Sequence, residues 1–234
     1  MATEIDLSAL RNALSVVIPA KDEAPSIGRI IEGAKMFARE VIVVDGHSSD
    51  GTSQIAERLG ARVISDNGRG KGEAIRVAIP LVENPITVFL DADGSHDPND
   101  IPKLVQPILA NEYDHVTGSR LIGGSSELHG GFDECFRLMG SSFITACINW
   151  RFSVRLSDSQ NGFRAIRTAV LRELELEEDK TTIEQEMIIK TLRKGYRMGE
   201  VPTHEYRREH GKSKISLYRV GFRYVWTLVK YLAF

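Results

Sequence analysis

The chain has 234 residues, 42% of them hydrophobic and 26% charged, and a formal net charge of −2. That length and balance imply one folded domain with a sizeable core, and exclude a disordered chain or a general electrostatic affinity for nucleic acid. The two cysteines, Cys135 and Cys147, fall on one predicted helix about 18 Å apart, too far to bridge, which fits a reduced cytoplasmic setting.

Residues 14–18 (LSVVI) read as a short buried strand that Pro19 ends, and 25–37 as a helix with Pro25 in its first turn. Residues 41–45 (VIVVD) form a second strand. SSDGT then turns the chain and caps a helix over 53–59. A third strand covers 61–65, a glycine-rich loop opens a helix over 70–82, and 86–91 is the fourth strand. A helix over 101–110 and a strand over 115–118 follow. The second half is less regular: a long helix over 132–151, a strand over 161–166, a helix over 182–194, a strand over 196–201 and a terminal helix over 215–234. Strands apolar on both faces that alternate with helices predict an α/β fold, its mostly parallel sheet covered by helices on both faces. The opening MATEIDLSALRNA holds acids and no apolar run, so it does not read as a signal peptide, and no apolar stretch is long enough to span a bilayer.

The run ITVFLDADGSHDP, residues 86–98, concentrates the chemistry. An apolar strand stops at Asp91 and Asp93, so two carboxylates emerge at the carboxyl end of a parallel sheet, where α/β proteins bind ligands. Such a pair can hold one hard cation, and that cation can neutralise a diphosphate. Lys21, Glu23 and Asp45 follow the first two strands and converge on the same edge. The turn after the first strand, PAKDEAPS, lacks the glycines of a dinucleotide fingerprint. In GRGKGEA, Lys71 is followed by Gly72 rather than Ser or Thr, which rejects a P-loop. The loop can still present N–H groups and Lys71 to a phosphate at a helix start, or be a plain flexible loop.

VVIPAKDEAPSI, VIVVDGHSSDGT, GRGKGEAIR, VFLDADGSHDP, GSR, SDSQNGFRAI and EVPTHEYRREHGKSK occur in this order. The series resembles glycosyltransferase family 2, with its GT-A fold, and most closely the dolichyl-phosphate mannose or glucose synthases. The resemblance divides the single domain into a nucleotide-sugar-binding half (14–118), an acceptor-binding half (119–214) and a C-terminal helix (215–234). It implies metal-dependent, inverting transfer of mannose or glucose from a GDP-mannose or UDP-glucose type of donor to a polyprenyl phosphate. It places the nucleotide sugar on Pro19, Lys21, Glu23, Val43, Asp45, Lys71, Asp91 and Ala92. Mg²⁺ or Mn²⁺ falls on Asp93 and Asp91, with Ser95, a water or His96 completing the set. Arg120, Arg208 and Lys214 join Asp93 as catalytic groups, and Arg120, Arg137 and Ser141 face the acceptor phosphate.

An acceptor phosphate is already an anion and needs no general base; a hydroxyl acceptor would need one, with Asp158, Glu184 and Glu186 as the candidates. A soluble phosphorylated or hydroxylated acceptor is the first alternative. A sugar nucleotidyltransferase is a remote one, for lack of a glycine-rich loop after the first strand. On the terminal helix, Arg219, Arg223, Thr227 and Lys230 form a polar stripe in an otherwise apolar, aromatic sequence. That pattern suits peripheral attachment to the cytoplasmic face of a membrane, or packing on the core or a partner.

Overall fold

The computed structural model describes residues 7–126, 132–208 and 217–233. Its elements are α1 (Leu7–Ala13), β1 (Leu14–Ala20), α2 (Ala24–Phe37), β2 (Glu40–Asp45), α3 (Thr52–Arg58), β3 (Arg62–Ser65), α4 (Lys71–Ala78), β4 (Ile86–Phe89) and α5 (Ile101–Leu109). They continue with β5 (His115–Ser119), α6 (Arg120–Gly123), α7 (Phe132–Phe152), β6 (Arg164–Arg167), α8 (Thr168–Glu173), α9 (Ile183–Arg193), β7 (Met198–Pro202) and α10 (Leu217–Ala233). The strands form one sheet in the order β3-β2-β1-β4-β6-β5-β7. β6 runs antiparallel to both neighbours, and the other pairings are parallel.

Successive side chains of the central strands enter opposite cores, as a pleat covered on both faces requires. Val16, Ile18, Val41, Val43, Val88 and Leu90 pack with α2 and α5; Val17, Ile42, Val44 and Phe89 pack with α4, α8 and α9. Each such side chain contributes about 1.5–3 kcal/mol by leaving water. In α2 the buried Ile27, Ile30, Ile31 and Ala34 recur at i, i+3, i+4 and i+7, the stripe that docks a helix on a sheet.

Pro19 does not end the first strand. β1 pairs with β2 through Ala20 but with β4 only as far as Val17. The Val17 carbonyl accepts from Leu90 N on the β4 side and the Ala20 carbonyl from Gly46 N on the β2 side. The alternation turns the nitrogen of Pro19 towards β4, beyond that strand's end, so its missing N–H removes no ladder bond. β6 starts at Arg164 rather than 161 because the Asn161 side chain accepts from Phe163 N at 2.9 Å and closes a turn. Both cysteines lie on α7, and Cys147 is a free thiol.

On α10 the polar stripe lies partly against the protein. Thr227 is buried, and Lys230 pairs with Glu177 at 3.0 Å; Arg223 alone of the described stripe is exposed, the Arg219 side chain lying outside the described residues. Tyr224, Leu228 and Tyr231 pack into a core with Ile144 and Ile148 of α7 and Ile188 and Ile189 of α9. The outward face is the apolar one: Phe222, Val225, Trp226 and Val229 stand exposed at i, i+3, i+4 and i+7. Among the described residues no helix is long and apolar enough to cross a membrane.

Candidate active site

β1, β2 and β4 are parallel neighbours, so their carboxyl ends open on one edge of the sheet. A cleft of about 470 Å³ lies there. Pro19 and Lys21 from β1 and its loop, Glu23 from the start of α2, and Asp91, Ala92, Asp93, Ser95 and His96 beyond β4 line one wall. Lys71 of α4, Arg120 of α6, Glu184 of α9, and Glu205 and Arg208 beyond β7 line the other. Acids and bases that are far apart in sequence thus face each other across a small volume.

Lys71 joins the two walls. Its Nζ lies 2.5 Å from Asp91 Oδ1 and 2.8 Å from Glu184 Oε1. Burial opposes the charge on Lys71, but the two carboxylates outweigh it and keep the ammonium protonated. Burial also opposes ionisation of Asp91; the charge and hydrogen bond of Lys71, with the charge of Arg208, more than offset it and hold the carboxyl below its ordinary range. Gly162 makes this approach possible, since a Cβ there would stand 2.5 Å from Lys71 Nζ and 2.7 Å from Asp91 Oδ2. The glycine-rich loop serves a different end from phosphate cradling. The N–H groups of Gly72 and Glu73 donate to the Asp179 carbonyl at 3.0 and 3.2 Å, so these two donors at the start of α4 are already engaged, while Lys71 lines the cleft.

Asp93 is buried, and its Oδ1 accepts from Ser95 N at 3.0 Å and Ser95 Oγ at 2.6 Å. Its Oδ2 lies 3.1 Å from the Arg208 guanidinium. His96 is buried beside the Phe163 ring, and its Nδ1 has no hydrogen-bond partner; burial lowers its pKa and favours the neutral imidazole. Among the described residues no three His, Cys, Asp or Glu side chains converge as a metal cage. A cation on Asp93 would therefore complete its shell with substrate phosphates and water, which is how Mg²⁺ is usually held.

Arg120 is clamped. Its Nε and Nη2 donate to the two Asp158 oxygens at 2.6 and 3.0 Å, and its Nη1 to Glu205 at 3.2 Å. Asp158 also accepts from Gln160 N at 3.0 Å, so both of its oxygens are engaged and it orients Arg120. Burial raises the Asp158 pKa, but the bonds and charge of Arg120 overcome it and keep the carboxylate ionised. Glu186 does not reach the cleft. It is buried at the base of α9, where it accepts from Glu177 N at 2.8 Å, Glu178 N at 2.9 Å and the Tyr231 hydroxyl at 2.9 Å. Of the three base candidates, only Glu184 lines the cleft.

Asp45 is buried at the end of β2, with Oδ2 accepting from Ser48 N at 3.1 Å and Oδ1 unpartnered. Val43 is buried in the core, and its neighbour Val44 reaches the cleft wall. Ser141 lies on α7 and is not part of the cleft lining. The Arg137 side chain and Lys214 lie outside the described residues. Sequence reasoning missed Glu205, Gly162 and Tyr224. Glu205 and Gly162 sit inside recognised motifs, but nothing in residue type marks a second acid on Arg120 or a steric need for glycine. Tyr224 lines the cleft from α10, its hydroxyl donating to the Thr181 carbonyl at 3.3 Å; burial, and then the Glu184 charge, push its pKa up to about 12.

The profile of glycosyl transferase family 2 matches residues 15–174. Glycosyltransferase AglJ of Haloferax volcanii is 31% identical over 86% of this chain, which spans 65% of that protein's length. The dolichyl-phosphate hexose transferase of the same organism is 29% identical over 93% of this chain and 92% of its own. Among solved structures, glucosyl-3-phosphoglycerate synthase from Mycobacterium tuberculosis, in complex with Mn²⁺, UDP-glucose and phosphoglyceric acid, superposes with a TM-score of 0.79. The superposition covers 97% of this chain and 83% of that one at 23% identity, a likeness of fold. The fold is the GT-A arrangement that the motif series implies.

Proposed function

Since the chain belongs to glycosyltransferase family 2, we propose that it transfers a hexose, mannose or glucose, from a GDP- or UDP-sugar to a polyprenyl phosphate, with inversion and with Mg²⁺ or Mn²⁺. The observation that carries this is one cleft lined by Asp91 and Asp93 from the end of β4 together with Lys71, Arg120 and Arg208, in which Lys71 pairs with Asp91 and Arg208 with Asp93. The donor set fits a hard divalent ion, since Asp93 supplies carboxylate oxygen, Ser95 a hydroxyl, and the buried Nδ1 of His96 has no other partner. When bound, the ion neutralises charge on the departing nucleoside diphosphate. Arg208 and Lys71 act on the same developing charge, the kind of electrostatic help that is usually the largest catalytic contribution. Glu23 and the end of β1 hold the nucleoside, and Arg120, fixed by Asp158 and Glu205, meets the acceptor anion.

Two observations support a lipid phosphate as acceptor. Asp158 is committed to Arg120 and Glu186 to the 177–178 backbone, so two of the three candidate bases are engaged elsewhere, and a phosphate needs none. The exposed stripe of Phe222, Val225, Trp226 and Val229 suits a bilayer interface, where an aromatic ring and a flanking Arg223 are favoured. Replacing Trp226 by Glu is expected to weaken sedimentation with anionic liposomes about tenfold or more, a charge placed at an apolar interface being costly. Undiminished sedimentation would assign the stripe to another partner.

One feature favours a soluble hydroxyl acceptor instead: Glu184 Oε2 is buried at the cleft wall without a hydrogen-bond partner, where a general base would stand. The deciding experiment offers the protein radiolabelled UDP- and GDP-sugars with Mg²⁺ or Mn²⁺ and a short polyprenyl phosphate, followed by organic extraction. Label in the organic phase supports the lipid phosphate. Label confined to new water-soluble products overturns it and makes Glu184 the base.

A further inference from the structure

Three cationic side chains of the cleft are held by carboxylates: Lys71 by Asp91 and Glu184, Arg120 by Asp158 and Glu205, Arg208 by Asp93. The third pair differs in its consequence. Asp93 Oδ1 is turned onto Ser95, so Oδ2 is the oxygen available to an external cation, and the Arg208 guanidinium stands 3.1 Å from it. The backbone brings it there. Glu205 N donates to the Gly124 carbonyl at 3.0 Å, and Tyr206 N donates to the Ser95 carbonyl at 2.8 Å, which ties the segment before Arg208 directly to the turn that carries Asp93. A divalent ion on Oδ2 and a guanidinium in the same place repel one another strongly at this burial.

We infer that Arg208 is an exchangeable internal counter-ion of Asp93, which must leave before a divalent cation binds and which then transfers to the donor diphosphate. The inference rests on the reading of Asp93 as a metal ligand. It makes cation and donor binding mutually dependent, because the diphosphate supplies the anion that draws Arg208 away. By linkage the dependence is equal in both directions. The cleft then resists loading with metal alone and loads metal and donor together.

The test needs no turnover. Mn²⁺ binding is followed by electron paramagnetic resonance for the wild-type protein and for Arg208→Gln and Arg208→Lys, each with and without UDP or GDP; thermal melting confirms that the variants fold. Arg208→Gln is expected to bind Mn²⁺ alone about tenfold more tightly than wild type, and to lose most of the enhancement that the nucleotide gives. Arg208→Lys, which keeps the charge, should stay close to wild type. Equal or weaker Mn²⁺ binding by Arg208→Gln, with wild-type binding intact, overturns the inference alone. Absence of Mn²⁺ binding by every form, with nucleotide present, overturns the metal reading of Asp93 and this inference with it.

Discussion

Asp93→Ala is expected to lower turnover by about a thousandfold or more, the scale of removing a metal or a fixed transition-state charge. The protein should stay folded. Asp93 projects from a loop beyond β4, and its partners are the adjacent Ser95 and Arg208, whose side chain is 33% exposed. Asp93 is buried but the charge left behind on Arg208 keeps part of its hydration, so the loss costs about 1–3 kcal/mol, less than the stability of an ordinary domain. The variant separates the two roles that a carboxylate at a strand end can have. If Asp93 only capped its turn, Asp93→Asn would restore function, because an amide oxygen still accepts from Ser95 N. If it binds the cation, Asn restores little. Turnover and melting temperature for both variants check this, and near-normal turnover in Asp93→Ala would remove the metal from this residue.

Lys71→Met should damage both stability and catalysis. Lys71 is the shared partner of Asp91 and Glu184, and its side chain is 20% exposed. Its loss leaves two carboxylates close together with no cation between them. Breaking a buried pair costs about 3–5 kcal/mol, and the partial exposure of Lys71 and Asp91 lowers that to about 2–3 kcal/mol here. Turnover should fall about a hundredfold as a positive group facing the diphosphate is lost. The pH dependence has a definite sign. In the wild type Asp91 titrates lower in the folded chain than in the unfolded one. The unfolded chain therefore binds more protons between the two values, so stability rises with pH there. The contribution is complete above about pH 4–5, past the unfolded value near 3.9, and is lost as pH falls through the folded value. In Lys71→Met this acid-side loss should vanish, because burial then opposes the Asp91 charge with no ammonium beside it. Denaturant melts at pH 7 and below about pH 3 measure it. An unchanged difference between the two pH values would show that Lys71 is not the group that holds Asp91 ionised.

The features legible in the sequence were those set by short-range rules. Runs such as VIVVD and ITVFL announce strands buried on both faces, and an acid after each announces the ligand edge, because parallel neighbours end on the same side. Pro19 misled because its effect depends on where β4 stops, a fact of register rather than of residue type. The roles of Asp158 and Glu186 were hidden for a similar reason. Each is an acid near the site in sequence, and only tertiary contacts show one given to Arg120 and the other to the 177–178 backbone. α10 was recognised as amphipathic, but which side packs depends on α7 and α9. These take Leu228 and Tyr231 and leave Trp226 outside.

The most direct test of the account is calorimetric titration of the protein with UDP and GDP, in Mn²⁺ and again in EDTA. One of the two nucleotides is expected to bind in Mn²⁺, EDTA to weaken it at least about tenfold, and Asp93→Ala to bind it equally poorly in both conditions. Binding that is indifferent to EDTA, or a metal dependence that Asp93→Ala retains, would contradict the claim that the end of β4 holds a metal-bound nucleotide sugar.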